Sequence, residues 1–468
     1  MLNLRGHVTQ VLEKTLVVDG ITPVGAYAAL RRDAGRGCFL LESVVPGERW
    51  GRYSILGYRP RGETVVTGEP GADPFNRLAE TLPSGEERTA SVAGRFARAH
   101  IGTVLYDAVS YATKVPAFPQ TRGAPIARFV SDATVIVFDN LTHTATLAST
   151  DEAELERAER HLQNAAALAP MSPPDPGALP VDIAVSCSDA EYEQMVRRAK
   201  EYILCGDAFQ IVGARKFSVP AQGASPFDVY RALRVLSPAP YMYLLELPAA
   251  AGTQASLDAL GVVGASPETL VRLEDGRVTL RPIAGTRRRG RSPEEDEALA
   301  AEMLADPKEC AEHVMLIDLA RNDVGRIAQT GSVTLPKRMG VERFSHVMHI
   351  VSEVSGLLKE RLSPWDVLRA TFPAGTLTGA PKVRAMQIIH ELEGAPRGVY
   401  GGAVGYVTRD GDMDFAIAIR TAVLAGDRFE VTAGAGLVAD SQPALEAKET
   451  WNKARAALSA LAGAVARN

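Results

Sequence analysis

The chain has 468 residues, 46% of them apolar, and a formal net charge of −5 at pH 7. That length predicts two lobes or one heavily decorated fold around a large core, and the acidic balance argues against a dedicated nucleic-acid binder. Four cysteines without C-x-x-C or paired spacing (Cys38, Cys187, Cys205, Cys310) suit a reducing cytosol, and no apolar run approaches the roughly 18–20 residues that span a bilayer.

The opening "MLNLRGHVTQ" lacks the apolar stretch of a signal peptide, so a cytoplasmic protein without membrane contact is expected. "ATVIVFD" (133–139) reads as a strand, and "DEAELERAERHLQNAAAL" (151–168) as an amphipathic helix. "APMSPPDPGALP" (169–180) holds five prolines, which suit neither a helix interior nor a central strand. It suggests an N-terminal lobe over 1–168, a linker over 169–182 and a catalytic region over 183–468. Next comes a helix over 189–207, with Asp189 as cap and Gly206 as stop. Strands follow at 241–247, 269–283 (a hairpin on Asp275-Gly276), 402–424 (a hairpin around Asp410-Gly411) and 428–437. Such hairpins mean antiparallel pairing, so the expected class is α+β.

The conspicuous run "RPIAGTRRRGR" (281–291) places Arg287, Arg288, Arg289 and Arg291 ahead of "SPEEDE". Ser292 with Glu295 forms a capping box and Pro293 opens a helix, while four acids offset four arginines. This reads as a loop entering a capped helix, not a polyanion site.

Two Glu-x-x-Glu steps carry more chemistry: Glu309 with Glu312, and Glu446 with Glu449. Each pair shares a helix face, and two such faces turned together would gather four carboxylates suited to a divalent cation. Glu309 as a capping acid after Asp306, and solvated Glu446 and Glu449, is the simpler alternative. The loop "PAGTLTGAPK" (373–382) departs from the phosphate-loop spacing, and "GAGLVA" (434–439) is followed by too little chain for a dinucleotide unit. Exposed N–H groups there would still suit a small carboxylate. Arg420 is the only charge in "FAIAIRTAVL" (415–424) and in strand alternation shares a face with Ala416 and Ala418. A buried guanidinium must meet an anion, whether a structural carboxylate or a bound acid. His349, in "FSHVMHIVSEVSG", is open in the same way.

Nine ordered motifs ("GASPE", "PIAGT", "DPKECAEHVMLIDLARND", "FSHVMHIVSEVSG", "FPAGTLTGAPKVRAM", "YGGAVGY", "FAIAIRTAV", "AGAGLVADS" and "ETWNKA") resemble the chorismate-utilising enzyme family, and most nearly its anthranilate-forming branch. The likeness is dense over 190–465 and extends more thinly through "TPVGAYAALR" (22–31) and "LLES" (40–43). It implies large antiparallel sheets packed as a sandwich with helices outside. It also implies Mg2+ on Glu312 and Glu449, with Glu309 and Glu446 supporting through water. The metal would grip the ring carboxylate of chorismate. Arg420, Tyr400 and the N–H groups of Gly434 and Gly436 would hold the enolpyruvyl carboxylate, and Gly285, Thr286, Thr376 and Lys453 would line the pocket. Glu268 would protonate the departing 4-hydroxyl; His349 would assist pyruvate loss.

Relatives that use water carry a lysine base where this chain has Gln210, and those aminating C4 carry lysine where it has Ala284. The resemblance therefore implies ammonia as nucleophile. No G-x-C-x-G elbow is present, so a separate glutamine amidotransferase subunit, in a hetero-oligomer such as a heterotetramer, is expected to supply it. Leu40, Leu41, Glu42 and Ser43, with Pro240, Tyr241 and Met242, resemble the family's tryptophan feedback pocket. Alternatives are an enzyme that stops at the non-aromatic amine or makes the 4-amino product, and a non-catalytic sensor of small anions or amino acids.

Overall fold

Alternation along the strands decides the architecture. In Cys38–Glu42, Phe39 faces one apolar cluster and Leu40 another; Val135 and Ile136, and Tyr243 and Leu244, divide in the same way. A strand whose two faces are both apolar must be covered on both sides. The computed structural model describes residues 10–33, 37–43, 49–85, 88–165, 168–247, 259–344 and 347–466. The opening residues 1–9, Ala166 and Ala167 of the expected 151–168 helix, and Ser345 and His346 lie outside that set.

Among the described residues the strands form two sheets, of 12 and 10 strands, and all their pairings are antiparallel. Between the sheets, Phe39, Val137, Leu245 and Val262 of the larger meet Ile101, Val130, Val404 and Ala416 of the smaller. Helices Pro23–Leu30, Glu152–Gln163, Pro226–Leu236 and Pro443–Val465 cover the outer face of the larger sheet. Helices Pro74–Thr81, Pro307–Ile327 and Pro364–Thr371 lie against the smaller, while Lys382–Glu393 packs on the end of the larger sheet, where Ile388 and Ile389 meet Ile211, Ala435 and Leu437. The fold is thus an α+β sandwich of two sheets between helical layers. Strands from both sides of the proline-rich segment 169–182 enter both sheets.

The hairpin on Asp275-Gly276 is present, with Glu274 opposite Arg277 and both turn residues at positive φ. Helix Asp189–Leu204 is capped by Ser188, with Glu191 completing the box, rather than by Asp189, whose carboxylate instead holds Arg215 and Trp451. Gly206 follows it at φ 85°. No helix among the described residues is long and apolar enough to cross a membrane.

Candidate active site

Two crossovers between the sheets build the centre of the site. After strand Leu260–Ser266 of the larger sheet, Pro267 and Glu268 carry the chain to strand Thr269–Glu274 of the smaller. The chain returns from Met413–Ile417 of the smaller sheet to Thr421–Ala425 of the larger through Ala418, Ile419 and Arg420. Backbone bonds tie the corners: Ile417 N donates to Glu268 O at 3.0 Å and Ala265 N to Arg420 O at 3.2 Å. The expectation that Arg420 sits in unbroken strand alternation is therefore corrected. It stands at a corner with φ 50°, an uncommon conformation for a residue with a side chain.

The two charges are set up for different tasks. Glu268 Oε1 accepts from Thr376 Oγ1 at 2.9 Å. Burial pushes its carboxyl up to about 7, against the opposing pull of Thr376, Lys453 and Arg420. It can therefore hold a proton near neutrality. Arg420 is depressed by burial, with Glu268 opposing, and its guanidinium has no hydrogen-bonded or ion-paired partner among the described residues. An unpaired cation in that setting is a receptor for an anion.

His349 Nδ1 lies 2.8 Å from Gly285 O and 3.2 Å from Thr286 Oγ1. A carbonyl only accepts, so Nδ1 carries the hydrogen and Nε2 is left basic. Burial lowers the imidazole further, with Arg420 adding to it and the Gly285 bond opposing. Gly285, at φ 62°, lies at an irregularity in the pairing of strand Ile283–Arg288, and a side chain there would meet Ile350 and Glu309 Oε2. This brings the Gly285-Thr286 turn against His349 on one side and Glu309 on the other.

Strand Arg428–Leu437 pairs on both sides only as far as Val431; beyond that its partner is Gln210–Pro220 alone. Gly434 therefore turns backbone groups to an open edge, where its carbonyl accepts from Lys453 Nζ at 3.0 Å. Gly436, two residues on, faces the same way. A Cβ on Gly434 would lie 2.8 Å from the buried Tyr400 hydroxyl, and one on Gly436 2.8 Å from Gln210 Nε2. Close approach of backbone to ligand requires that space.

The four glutamates stand at the starts of helices Pro307–Ile327 and Pro443–Val465. Burial raises the Glu312 and Glu446 carboxyls; Glu309 adds to the first and Glu449 to the second, while Lys308 and Lys453 lower both. Lys308 of one helix and Lys453 of the other act on both carboxyls, so the two helix starts lie near each other. Gln210 Nε2 donates to Glu312 Oε1 at 3.3 Å, Lys453 pairs with Glu449 at 2.7 Å and Arg287 with Glu309 at 3.0 Å. Among the described residues no three His, Cys, Asp or Glu side chains are gathered closely enough to hold one ion.

The chorismate binding enzyme family matches residues 39–459 of the sequence. The chain belongs to the chorismate-binding enzyme family. It is 45% identical to anthranilate synthase component 1 of Pseudomonas putida over 95% of this chain and 94% of that one. It is 43% identical to the Thermus thermophilus component 1, covering 96% and 97% of the two chains. The crystal structure of anthranilate synthase component I from Streptococcus pneumoniae TIGR4 superposes with a TM-score of 0.75 at 38% identity, over 89% of this chain and 94% of that one. The menaquinone-specific isochorismate synthase of Escherichia coli has a TM-score of 0.73 at 18% identity, over 97% of this chain and 94% of that one, and shares the fold.

Three of the four conspicuous arginines are ion-paired. Arg287 reaches Glu302, Asp306 and Glu309, Arg288 reaches Glu295, and Arg289 reaches Asp296. Ser292 caps the helix that follows. Sequence reading did not single out Glu393 and Arg397, a buried pair at 2.6 Å whose guanidinium lies 5.5 Å from the Tyr400 ring. The signal was the i, i+4 spacing of opposite charges in "ELEGAPRG".

A second cavity, of about 600 Å³, is bordered by Leu41, Glu42, Ser43, Pro240, Tyr241 and Met242. Adjacent strands bring them together, with Met242 opposite Glu42. Tyr241 bonds Asp414 at 2.9 Å, and the Ser43 hydroxyl is buried without a partner among the described residues. The Glu42 carboxylate instead accepts from Tyr230 at 2.6 Å and Arg234 at 3.0 Å on the helix side.

Proposed function

We propose that this chain forms anthranilate from chorismate, adding ammonia at C2 and then eliminating pyruvate. The observation that carries the reading is the Arg420 guanidinium, unpartnered among the described residues, beside a carboxyl that keeps its proton near neutrality. The first suits the enolpyruvyl carboxylate, with Tyr400 and the Gly434 and Gly436 edge beside it. The second, Glu268, gives its proton to the 4-oxygen as the C4–O bond breaks, and that oxygen leaves as water. Ammonia bonds at C2, and its surplus proton goes to solvent. His349 Nε2 then draws the C2 proton as the bond to the enolpyruvyl oxygen breaks. Thr376 aligns Glu268, and Gly285, Thr286 and Lys453 wall the pocket.

Neither position 210 nor 284 supplies a lysine, so the chain offers no base for water and no amine nucleophile of its own there. The identity to proteins named anthranilate synthase component 1 supports the same choice.

The four glutamates are the hard oxygen donors that Mg2+ takes; burial, with repulsion from Glu309 and Glu449 adding to it, raises the Glu312 and Glu446 carboxyls, and a cation would relieve both. Glu312 and Glu449 would hold the ion, with Glu309 and Glu446 reaching it through water. When bound, it supplies positive charge for the ring carboxylate of chorismate. A separate glutamine amidotransferase subunit would deliver ammonia in a cytoplasmic hetero-oligomer.

Tryptophan feedback belongs to the same proposal, at the 600 Å³ cavity. Leu41, Ser43, Pro240 and Tyr241 would meet the inhibitor, Met242 would back the strand, and Glu42 would brace it through Tyr230 and Arg234. Ser43→Phe should leave turnover intact and blunt tryptophan inhibition; unchanged inhibition excludes Ser43 from the site.

The test of function is product identity. The purified chain with chorismate, Mg2+ and ammonium should yield blue-fluorescent anthranilate, and EDTA should abolish it. A non-aromatic amine or a 4-amino product would point to the related synthases, and unchanged chorismate to a sensor.

A further inference from the structure

Behind Glu268 lies a narrow cleft of about 50 Å³, lined by Glu268, Thr376, Thr371, Ala320, Asp323 and Arg281. At about 10–15 Å³ of such space per molecule, it has room for about three to five waters. Asp323 is 5% exposed, and its Oδ2 accepts from Lys382 Nζ at 2.7 Å; the same ammonium lies 3.4 Å from Thr371 O. A buried ion pair is a weak source of stability compared with apolar packing, so its place on a polar cleft calls for another account.

Glu268 must regain a proton after each departure of the 4-oxygen, and its direct neighbours are poor sources. Thr376 is a neutral hydroxyl, Arg420 keeps its protons, and Lys453 is tied to Gly434 O and Glu449 on the substrate side. With substrate bound on that side, the cleft is the remaining approach. We propose that it is the proton inlet of Glu268, with Asp323 and Lys382 as its relay. A cleft water gives a proton to the Glu268 carboxylate and takes one from the Lys382 ammonium by way of Asp323. The pair refills from solvent, which receives the proton shed by the new C2 ammonium group.

Among the described residues, the charges facing this relay are few. Lys382 and Arg326 act on Asp323, Asp323 and Arg326 act on Lys382, and Arg281 lines the cleft. Burial raises the Asp323 carboxyl and lowers the Lys382 ammonium, which narrows the gap a proton must cross between them.

The inference rests on Glu268 as the acid, so Glu268→Gln is the control. The double variant D323N/K382M removes the relay without leaving a lone buried charge. Ala320→Val instead fills the cleft with methyl groups and leaves the ion pair intact. Each should lower kcat by about 10-fold or more, raise the solvent deuterium isotope effect on kcat, and leave the chorismate KM within about two-fold. Thermal unfolding checks that both variants are folded. If Glu268→Gln is inactive while both variants turn over at the wild-type rate with an unchanged isotope effect, the inlet is overturned and the acid stands. If kcat falls with no change in isotope effect, the pair is only a clamp on the 372–382 loop, and the inlet is again overturned. If Glu268→Gln keeps wild-type turnover, the acid assignment itself falls.

Discussion

Glu268→Gln is expected to lower kcat by about 10²–10⁴-fold, the range over which a positioned acid acts. The amide keeps the shape and the Thr376 contact but has no proton to give. The same change should stabilise the folded protein at alkaline pH. The folded carboxyl titrates at about 7 and an unfolded one near 4.5. The folded state therefore holds its proton more tightly, and the stability this brings is complete below the lower value and lost as pH rises through the upper. A glutamine has no such loss, so at pH 8 the variant should gain up to about 3 kcal/mol relative to its difference at pH 4. Denaturant unfolding at both pH values checks this. An inactive variant without that gain would mean that the side chain is not desolvated as the structure places it.

The same carboxyl sets the pH profile at fixed total ammonium. Above about 7 the protonated fraction of Glu268 falls about tenfold per pH unit, while free ammonia rises by the same factor until ammonium itself titrates. The two cancel, so kcat/KM for chorismate should climb to about pH 7, stay level, and fall once ammonia is fully deprotonated. A single steady rise across the alkaline range would remove Glu268 as the acid.

Glu312→Ala and Glu449→Ala carry the other large expected effect. Each should cost well over the roughly 100-fold typical of groups that only support metal ligands, because on the proposed assignment each would take away a direct donor. Glu309→Ala and Glu446→Ala should lie within that range. Initial rates titrated with Mg2+ separate the two classes. Near-normal turnover in Glu312→Ala or Glu449→Ala would sink the metal assignment. Glu312 and Glu446 repel their neighbours without the ion, so alanine at either position should not destabilise the chain in EDTA.

Much of this was legible in the sequence because it is local. The Asp275-Gly276 hairpin, the cap at Ser292 and the shared faces of the Glu-x-x-Glu steps depend on residues a few positions apart. Arg420 shows where local reading stops. The alternation of "FAIAIRTAVL" looks unbroken, yet the chain leaves one sheet at Ile417 and joins the other at Thr421. Only the long-range pairing of strands reveals the corner, and it is the corner that leaves the guanidinium unpaired among the described residues, beside Glu268. Glu42 makes the same point. Its motif suggests a direct contact in the cavity, while strand alternation turns its carboxylate to Tyr230 and Arg234 on a helix almost 200 residues later. The cleft behind Glu268 was not readable at all, since Asp323 and Lys382 meet only when two helices pack against the 372–382 loop.

The nucleophile is proposed to be ammonia, because the positions where related synthases carry lysine are Gln210 and Ala284 here. The direct measurement is to supply the purified chain with chorismate, Mg2+ and 15N-ammonium in 18O-water and weigh the products by mass spectrometry. The expected aromatic product carries one 15N and no 18O. A ring carrying 18O and no 15N would show that water attacks, and would contradict ammonia as the nucleophile.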